Sequence, residues 1–321
     1  MNVLVVGGAG YIGAHIVDLL CEKKHDVVVF DNLNTGFKEN LNEEAIFVRG
    51  DILNKVELEN TFNAYDFDAV IHMAALKAAG ESMIQSFRYT ENNIIGSMNL
   101  ISMAASYNVK KIIFSSTAAV YGEPIYSPID EKHPTSPINH YGFTKLSIEN
   151  YLSWMNQIEG IKYVALRYFN AAGYTTKKNL IKFLEVNPQN LIPIVLEVAN
   201  KTRLELEVFG NDYNTIDGTC IRDYINVVDL ANAHIKALEY IDSGESCSIN
   251  LSTNKGYSVL DVIETAKKIT NQPIPFKFSN RRQGDPEILI SNYIEAEKKL
   301  QWFPKESSLE QIISSMWKYY K

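Results

Sequence analysis

Residues 2–20, NVLVVGGAGYIGAHIVDLL, join an apolar run to an amphipathic stretch through a cluster of glycines. The glycines at 8, 10 and 13 fit G-x-G-x-x-G, and those at 7, 10 and 13 fit G-x-x-G-x-x-G. A glycine motif alone is weak evidence, because turns use glycine for its positive φ. Between a strand and a helix, however, glycines let backbone N–H groups approach a pyrophosphate at the positive end of the helix. The stretch therefore predicts a strand, a dinucleotide-binding turn and a helix that begins at about Tyr11.

The same alternation continues along the first half of the chain. The apolar runs are DVVVFD, AIFVRGD, DAVIHMA, KKIIFSS and KYVALRYFNAAG, and a long helix is predicted over about 81–106. Runs that are apolar throughout are typical of a parallel sheet buried between helices. We expect an α/β fold with a doubly wound parallel (Rossmann) sheet in an NAD-binding domain, residues 1–169. A smaller mixed α/β substrate domain, residues 170–321, is expected to interleave with it near 222–245, with helices near 226–241, 258–270 and 308–319.

The composition excludes several classes of protein. The 321 residues are 46% hydrophobic and 21% charged, as in a globular chain with a sizeable core. A net charge of -7 gives no general attraction for nucleic acid or acidic membranes. No apolar run reaches the roughly 18 residues of a membrane span, and the start lacks the basic leader of a signal peptide. Three scattered cysteines and six scattered histidines favour a reducing, cytoplasmic setting and no metal site.

The second predicted strand ends in an acidic residue, Asp31. At this place a carboxylate accepts both hydroxyls of an adenosine ribose and repels a 2′-phosphate, which favours NAD over NADP. Asp51 and the run MAALK, residues 73–77, also follow strand ends, at the edge where open parallel sheets bind ligands. For Asp51 the spacing fits a helix N-cap equally well.

Residues 141–145, YGFTK, place Tyr141 and Lys145 on one face of a predicted helix that Asn139 can cap. The strand KKIIFSS ends at Thr117, whose hydroxyl lies at the ligand edge of the sheet. The same Tyr–Lys spacing occurs without this context at Tyr107/Lys111 and Tyr174/Lys178. The first pair, with Thr117, is therefore the candidate for chemistry, and a packed tyrosine beside a surface-seeking lysine is the alternative.

Oxidation of an alcohol by a nicotinamide requires a base for the hydroxyl proton. Tyrosine titrates near pH 10, so its use at neutrality requires a shift of roughly 3 units, about 4 kcal/mol. A cation about 5 Å away supplies on the order of 3 kcal/mol at an effective dielectric of 20. We expect Lys145 and the positive nicotinamide ring together to keep Tyr141 ionised, while Thr117 hydrogen-bonds the substrate oxygen.

These residues lie in stretches by which the chain resembles the extended short-chain dehydrogenase/reductase family and, within it, the UDP-glucose 4-epimerases. The stretches are GGAGYIGAH, DNLNTG, GDI, FSSTAAVYGEP, YGFTKL, LRYFNAAG, FGNDYNTIDGTCIRDYINVVDLANAH and RRQGDP, spread over nearly the whole chain. The resemblance implies inversion at C4 of a UDP-hexose through a transient 4-keto sugar, with NAD that stays bound. It also implies a homodimer joined through the helices near 81–106 and 141–157.

The resemblance implies a set of cofactor contacts besides Thr117, Tyr141 and Lys145. With the motif glycines they are Gly7, Gly10, Tyr11, Ile12, Gly13, Asp31, Asn32, Asn34, Thr35, Gly36, Asp51, Ile52, Met73, Ala74, Ala75, Lys77, Asn92 and Phe169. For Asp51 it favours the cofactor role over the helix cap.

Three of the seven arginines fall in two loops of the second half, as Arg222, Arg281 and Arg282. Guanidinium groups suit a diphosphate, and surface ion pairing is the alternative. The resemblance implies that Arg222 and Arg282 bind the diphosphate. It further implies that Phe209 and Asp285 contact the nucleoside, and that Asn170 and Asn190 lie near the pyrophosphate or sugar.

The sequence departs from the family pattern at two positions. Thr117 stands where many members have serine, which keeps the hydroxyl. Leu289 stands where some members place a tyrosine that lines the sugar pocket. The shorter side chain leads to the hypothesis that UDP-GalNAc and UDP-GlcNAc are also substrates.

Other functions on this scaffold remain as alternatives. Related 4,6-dehydratases and decarboxylases carry an acidic residue after the strand-end hydroxyl, where this chain has Ala118 and Ala119. Neither alanine can transfer a proton, which favours simple epimerisation, although a UDP-glucuronate 4-epimerase stays open. A non-catalytic NAD sensor is expected to have lost the tyrosine, the lysine or the hydroxyl, and all three are present.

Overall fold

The computed structural model describes residues 1–177, 180–185, 188–282 and 285–321. Its strands are β1 (Asn2–Val6), β2 (Asp26–Asp31), β3 (Ile46–Arg49), β4 (Ala69–His72), β5 (Lys111–Thr117), β6 (Lys162–Tyr168), β7 (Asn170–Ala172), β8 (Leu206–Phe209), β9 (Ile221–Asn226), β10 (Cys247–Leu251), β11 (Gly256–Ser258), β12 (Phe276–Ser279) and β13 (Ile288–Leu289). Its helices are α1 (Tyr11–Glu22), α2 (Lys55–Ala64), α3 (Ala79–Ile84), α4 (Ser86–Tyr89), α5 (Gly96–Ser106), α6 (His140–Glu159), α7 (Leu191–Ala199), α8 (Val227–Ile241), α9 (Val259–Thr270), α10 (Ile294–Leu300) and α11 (Leu309–Tyr320).

A seven-stranded parallel sheet, in the order β10-β6-β5-β4-β1-β2-β3, forms the centre of the fold. Side chains alternate along each strand, so Val3 and Val5 face the helices α1, α8 and α10, while Leu4 and Val6 face α2, α5 and α6. Both faces are apolar because both are covered. This arrangement confirms the predicted doubly wound Rossmann sheet. The strand order reverses between β1 and β4, which is where such sheets open a crevice for ligands.

The second half builds two small sheets around its own core. β9 pairs in parallel with β7 and β13 and antiparallel with β11, while β8 pairs with β12. Helices α7, α9 and α11 supply most of the apolar side chains that pack between them. The predicted helices near 226–241, 258–270 and 308–319 are α8, α9 and α11.

The second half of the chain also contributes a strand and a helix to the Rossmann sheet and its helical layer. Strand β10 forms the edge of the large sheet beside β6, and α8 packs against α1. The chain thus returns to the Rossmann sheet between residues 227 and 251. The division into domains at residues 169 and 170 stays a prediction. Within the described ranges, no helix is both long and apolar enough to cross a bilayer.

The prediction of one continuous helix over about 81–106 is wrong. Helix α3 ends at Gln85, whose φ of -112° and ψ of 46° are not helical, and α4 then leads into a π-helical turn over Thr90–Ile95 before α5. In this wider turn the side chain of Asn93 accepts from the N–H of Leu76 and donates to its carbonyl, both at 2.9 Å. The apolar periodicity of the sequence does not register such a turn.

Candidate active site

The glycine turn after β1 is shaped by close backbone contacts. Gly7 has a φ of +79°, and a Cβ there would lie 2.5 Å from the backbone nitrogen of Ala74. A Cβ on Gly13 would lie 2.4 Å from the carbonyl oxygen of Gly7. Gly10 is the N-cap of α1 and offers no side chain to its first N–H groups. The turn therefore fits a pyrophosphate, because larger residues would fill the cradle and the helix start has free donors.

A cleft of about 510 Å³ opens at this turn, along the carboxyl ends of β1, β2 and β4 and beside α6. It brings together most of the predicted cofactor and catalytic residues. Those that line it are Gly7, Gly10, Tyr11, Ile12, Gly13, Asp31, Asn32, Asn34, Thr35, Ile52, Met73, Ala74, Ala75, Lys77, Asn92, Tyr141 and Lys145.

The carboxylate of Asp31 links the end of the second strand to the glycine turn through hydrogen bonds. One carboxylate oxygen accepts from the N–H of Ala9 at 2.9 Å, and the other accepts from the N–H of Leu33 at 2.8 Å. Burial raises the pKa of Asp31, and the two backbone bonds oppose that shift. The side chain is thus fixed at the strand end, on the wall of the cleft.

Four predicted residues lie outside the lining of this cleft. Gly36 packs on the glycine turn, where a Cβ would lie 2.6 Å from the carbonyl carbon of Ala9. Phe169 packs in a small apolar cluster with Ala118. The other two are Asp51 and Thr117.

Asp51 is not the cap of α2. That helix begins after Asn54, whose side chain accepts from the N–H groups of Val56 and Glu57. The carboxylate of Asp51 instead accepts from the N–H of Leu53 and from the side chain of Asn32, both at 2.9 Å. Of the two roles that fit its spacing, the helix cap is therefore excluded, and the cofactor role stays a prediction.

Thr117 and Tyr141 meet where β5 ends and α6 begins. Asn139 caps α6 as predicted, by accepting from the N–H of Gly142 at 2.8 Å. This places Tyr141 in the first turn, near enough to the hydroxyl of Thr117 for that group to act on the phenol and oppose the rise of its pKa. The Thr117 hydroxyl also accepts from the N–H of Ala119 at 3.2 Å. The hydroxyl and the phenol are thus neighbours at the end of β5.

Lys145 lies one turn further along α6 and is 3% exposed. Its ammonium donates to the carbonyl of Ser115 at 2.7 Å and lies 4.9 Å from the ring centre of Phe114. Burial lowers the pKa of Lys145 to about 7, and the carboxylate of Glu149 opposes that shift.

The pKa of Tyr141 is shifted upward, which is opposite to the shift expected for a base. Burial raises the pKa of Tyr141 to about 12, and the neighbouring Thr117 hydroxyl acts in the other direction. Within the protein's own residues, Lys145 therefore does not lower the pKa of Tyr141 below its usual value. The physical reason is that the ammonium is bound to Ser115 and loses charge itself through burial.

The other two Tyr–Lys spacings have different surroundings. Tyr107 donates to Asn63, and Lys111 pairs with Asp242 on the protein surface. Tyr174 packs edge to face on Tyr11. Lys178 lies outside the described residues.

A second cleft of about 510 Å³ lies in the other half of the chain. Six of the seven predicted substrate residues line it, namely Asn170, Asn190, Phe209, Arg222, Arg282 and Asp285. Gln189 lines both clefts, so they adjoin. The seventh, Leu289, pairs in register with Arg222 between β13 and β9 and packs against the cluster that holds Phe169.

The arginines of the second cleft are held in different ways. Arg222 is buried and donates to the carboxylate of Asp285 and to the carbonyl of Ile221, the latter at 2.7 Å. The guanidinium of Arg282 lies 4.1 Å from the ring centre of Phe209. Arg281 forms a surface ion pair of 2.7 Å with Asp212, which is the alternative weighed for this loop. Two of the three guanidinium groups therefore line the cleft.

Comparison with known proteins places the chain among related enzymes. The sequence profile of the NAD dependent epimerase/dehydratase family matches residues 3–252. The chain belongs to this family. A UDP-glucose 4-epimerase of Halalkalibacterium halodurans is 46% identical to this epimerase/dehydratase family member, over 100% of the chain and 96% of the relative. The resemblance inferred from the motifs is thereby confirmed.

Solved structures of the epimerase/dehydratase family share the fold over almost the full chain. The UDP-glucose 4-epimerase of Brucella ovis in complex with NAD is 39% identical, with a TM-score of 0.95 and coverage of 99% of this chain and 98% of that one. The enzyme of Bifidobacterium longum in complex with NAD+ and UDP is 37% identical, with a TM-score of 0.95 and the same coverage.

Several residues beside the site of this family member were missed from the sequence. Ser115, Tyr168 and Glu185 line the first cleft, and Glu149 acts electrostatically on Lys145. Glu149 had a signal, because it follows Lys145 by four residues on the same helix face. Glu185 had none, since its loop reaches the cleft only through the tertiary fold. Within the described ranges, no group of three or more His, Cys, Asp or Glu residues is arranged to hold a metal ion.

Proposed function

We propose that this protein inverts C4 of UDP-galactose and UDP-glucose, with NAD in the first cleft and the nucleotide in the second. The observation that carries the proposal is that Tyr141, with Thr117 beside it, and the buried Lys145 one helix turn further on lie at the cleft that holds the dinucleotide turn. The adjoining cleft with two guanidinium groups supports a diphosphate substrate.

In the reaction, Tyr141 takes the proton from O4 of the hexose and later returns it. NAD, held by the residues that line the first cleft, would supply the reversible hydride acceptor for C4 and a positive charge that favours the phenolate. Thr117, beside the phenol, hydrogen-bonds O4 and favours the ionised form of Tyr141. Lys145, held by Ser115, stabilises the phenolate when it carries its proton, because the two groups share a buried site of low dielectric.

The substrate is gripped through its nucleotide rather than its sugar. Arg222 and Arg282 bind the diphosphate, and Asp285 is then released from Arg222 to bind the nucleoside. Asn170 and Asn190 lie on the same wall, near the pyrophosphate or sugar. A sugar that is held loosely in this way can rotate and present either face of C4 to the hydride.

The experiment is conversion of UDP-galactose to UDP-glucose by the purified protein without added NAD. Conversion is expected at a rate typical of enzymes, because NAD stays bound. Absence of conversion, with NAD present in the purified protein, contradicts the proposal. A 4-keto-6-deoxy product would instead identify a dehydratase, and conversion of UDP-glucuronate alone would identify the glucuronate epimerase.

A wider substrate range is proposed from Leu289. This side chain is partly buried against the cluster of Phe169 and Ala118, beside Arg222. It is shorter than tyrosine, so it leaves room for a 2-N-acetyl group. We expect turnover of UDP-GalNAc as well, and Leu289→Tyr should remove this activity while keeping that on UDP-galactose. Equal loss of both activities in the variant contradicts the role of Leu289.

We also propose a homodimer. Helices α3 and α4 pack on α6, and together they expose large apolar side chains, namely Met83, Ile84, Phe87, Phe143 and Trp154. An apolar surface of this kind is typical of an interface between subunits. Sedimentation should give twice the mass of the chain, and Phe87→Glu should give monomers. Leu204→Glu, at an exposed leucine in the other half, is the matched control and should stay dimeric.

A cytoplasmic location is proposed from the cysteines. Cys21, Cys220 and Cys247 are all free thiols, two of them buried. Free thiols persist where the compartment is reducing. Fractionation of cells that express the tagged protein should recover it with cytoplasmic markers, and recovery in a secreted fraction contradicts this location.

A further inference from the structure

A buried ion pair lies behind the catalytic lysine. Glu149 on α6 and Arg167 on β6 are 4% and 7% exposed. The Nε of Arg167 donates to both carboxylate oxygens of Glu149, at 2.9 and 3.1 Å. The remaining guanidinium nitrogens reach Glu149 and the hydroxyl of Tyr121. The pair is therefore fully enclosed and geometrically fixed.

The ion pair is connected to both strands that surround Lys145. Ser116, which donates to Glu149, lies between Ser115, the acceptor of the Lys145 ammonium, and Thr117. Arg167 directly precedes Tyr168, whose hydroxyl is hydrogen-bonded to that of Ser115. Glu149 itself lies one helix turn after Lys145. The ion pair thus fixes the strand ends at the place where the lysine is bound.

Stability alone gives little reason for such a pair. Burial of two charges costs several kcal/mol per ion, and apolar residues of the same size are often as stable or more so. A role in the chemistry of the neighbouring lysine would explain the charges.

Few charged or titratable groups face Lys145. Glu149 on α6 and His72 on β4 interact electrostatically with Lys145. Tyr141 and Tyr168 line the same cleft as the lysine, and Arg167 pairs with Glu149. Strand β5 offers only the Ser115 carbonyl and the Phe114 ring, and the nearby turn over residues 90–95 keeps Glu91 exposed. Burial lowers the pKa of His72 to about 3, so that ring is neutral. Among these described groups, Glu149 supplies the negative charge that supports the ammonium.

We propose that Glu149 is a positioning residue that keeps Lys145 protonated and in place, and that Arg167 and Ser116 hold its carboxylate for this purpose. The inference rests on the role proposed above for Lys145. Without Glu149, the lysine loses its charge at lower pH and the phenolate of Tyr141 loses its support. In the protein with bound NAD, whose positive charge favours the phenolate, both limits of the pH range in which Tyr141 is ionised and Lys145 is protonated would then move inward.

The first test is the pH profile of kcat for UDP-galactose, measured on the protein with its bound NAD. Glu149→Gln should narrow the profile by about half a pH unit or more at the alkaline side and lower kcat, with little change in KM. Glu149→Asp, which keeps the charge, should restore most of the width. Glu264→Gln, which removes a carboxylate from the exposed pair with Lys267, should leave the profile unchanged. A wild-type profile in Glu149→Gln overturns the proposal.

A second variant is needed as a control for misfolding, because Glu149→Gln leaves a buried guanidinium without its partner. The double variant Glu149→Gln with Arg167→Gln removes both charges, and because it is the carboxylate that acts on Lys145, it should narrow the profile in the same direction but by less. A wild-type profile in the folded double variant also overturns the proposal.

A readout independent of turnover separates this inference from the proposed function. The phenolate of Tyr141 can be titrated by ultraviolet absorbance, as the difference between the protein and its Tyr141→Phe variant. In the Glu149→Gln background, phenolate should form at a higher pH. An unchanged titration overturns the role of Glu149 even if the enzyme converts no UDP-galactose, whereas absent turnover with a shifted titration contradicts only the proposed function.

Discussion

Lys77 and Glu185 form an ion pair, with 2.6 Å between the ammonium nitrogen and a carboxylate oxygen, on the wall of the first cleft. Lys77 follows β4, whereas Glu185 belongs to the described segment 180–185. That segment is fastened by Asn40, which accepts from the N–H groups of residues 182 and 183 at 2.8 and 2.9 Å, and by stacking of Phe183 on Phe37. A negative charge of the second half therefore competes for a lysine that is predicted to bind an anionic dinucleotide.

Glu185→Gln should strengthen retention of NAD. The lysine is then free to attract the cofactor phosphates, and since the pair is partly exposed, about a few-fold slower loss of NAD is expected. The measurement is the rate at which bound NAD leaves the protein during dilution and is captured by a scavenging dehydrogenase. Lys277→Gln, which breaks an exposed pair with Glu205, serves as the control. Faster loss of NAD from Glu185→Gln would contradict the competition.

The large sheet could be predicted because its signal is local. Strands such as Asn2–Val6 and Lys111–Thr117 carry apolar runs that are buried on both faces, and the glycine turn follows the first of them directly. The break at Gln85 and the π-helical turn over Thr90–Ile95 could not be predicted. They depend on hydrogen bonds between Asn93 and Leu76, which are distant in sequence and leave no periodic pattern.

The site could be predicted where motif and strand end coincide. Tyr141, Lys145 and the residues of both clefts are close in space, as their places at helix starts and strand ends suggested. The electrostatics could not be predicted, because they depend on burial. A sequence count of nearby charges suggests that Lys145 lowers the pKa of Tyr141, whereas enclosure of both side chains raises the pKa of Tyr141 and lowers that of Lys145.

Tyr141→Phe should abolish epimerisation while NAD stays bound. Loss of the proton acceptor is expected to lower kcat by about 100-fold to 10,000-fold, since the ring remains but the hydroxyl is gone. The control is Tyr151→Phe on the same helix, whose ring packs in the apolar layer between α6 and the sheet. Activity is followed with UDP-galactose, and NAD content by absorbance after denaturation. Full activity in Tyr141→Phe would contradict the mechanism.

Asn54→Ala and Asp51→Asn should separate stability from cofactor binding. Asn54 caps α2, so its loss should lower the free energy of unfolding by about 1 kcal/mol and leave NAD retention unchanged. Asp51 holds the side chain of Asn32 in the first cleft, so Asp51→Asn should weaken NAD retention with a smaller effect on stability. Urea unfolding and NAD release measure the two quantities. Identical behaviour of the two variants would contradict this separation.

His234→Leu should become relatively more stable as the pH falls. His234 is fully buried in α8, where Nδ1 donates to the carbonyl of Leu230 at 2.8 Å, and burial lowers its pKa to about 4. A histidine in the unfolded chain binds a proton below about pH 6.5, whereas His234 in the folded protein does not become protonated until about pH 4. The free energy of unfolding is therefore unaffected by His234 protonation above about pH 6.5, and it falls progressively below that pH because the unfolded chain binds a proton that the folded protein does not.

Between pH 7.5 and pH 5, this loss amounts to about 2 kcal/mol in the wild type and is absent from His234→Leu. Urea unfolding at both pH values should show the free energy of unfolding of the variant gaining that amount relative to wild type. Leu238→Ala, at a buried position of the same helix, removes apolar contacts but no titratable group, so its cost should be equal at the two pH values. A difference between His234→Leu and wild type that does not change with pH would mean that the buried ring accepts a proton in the folded protein.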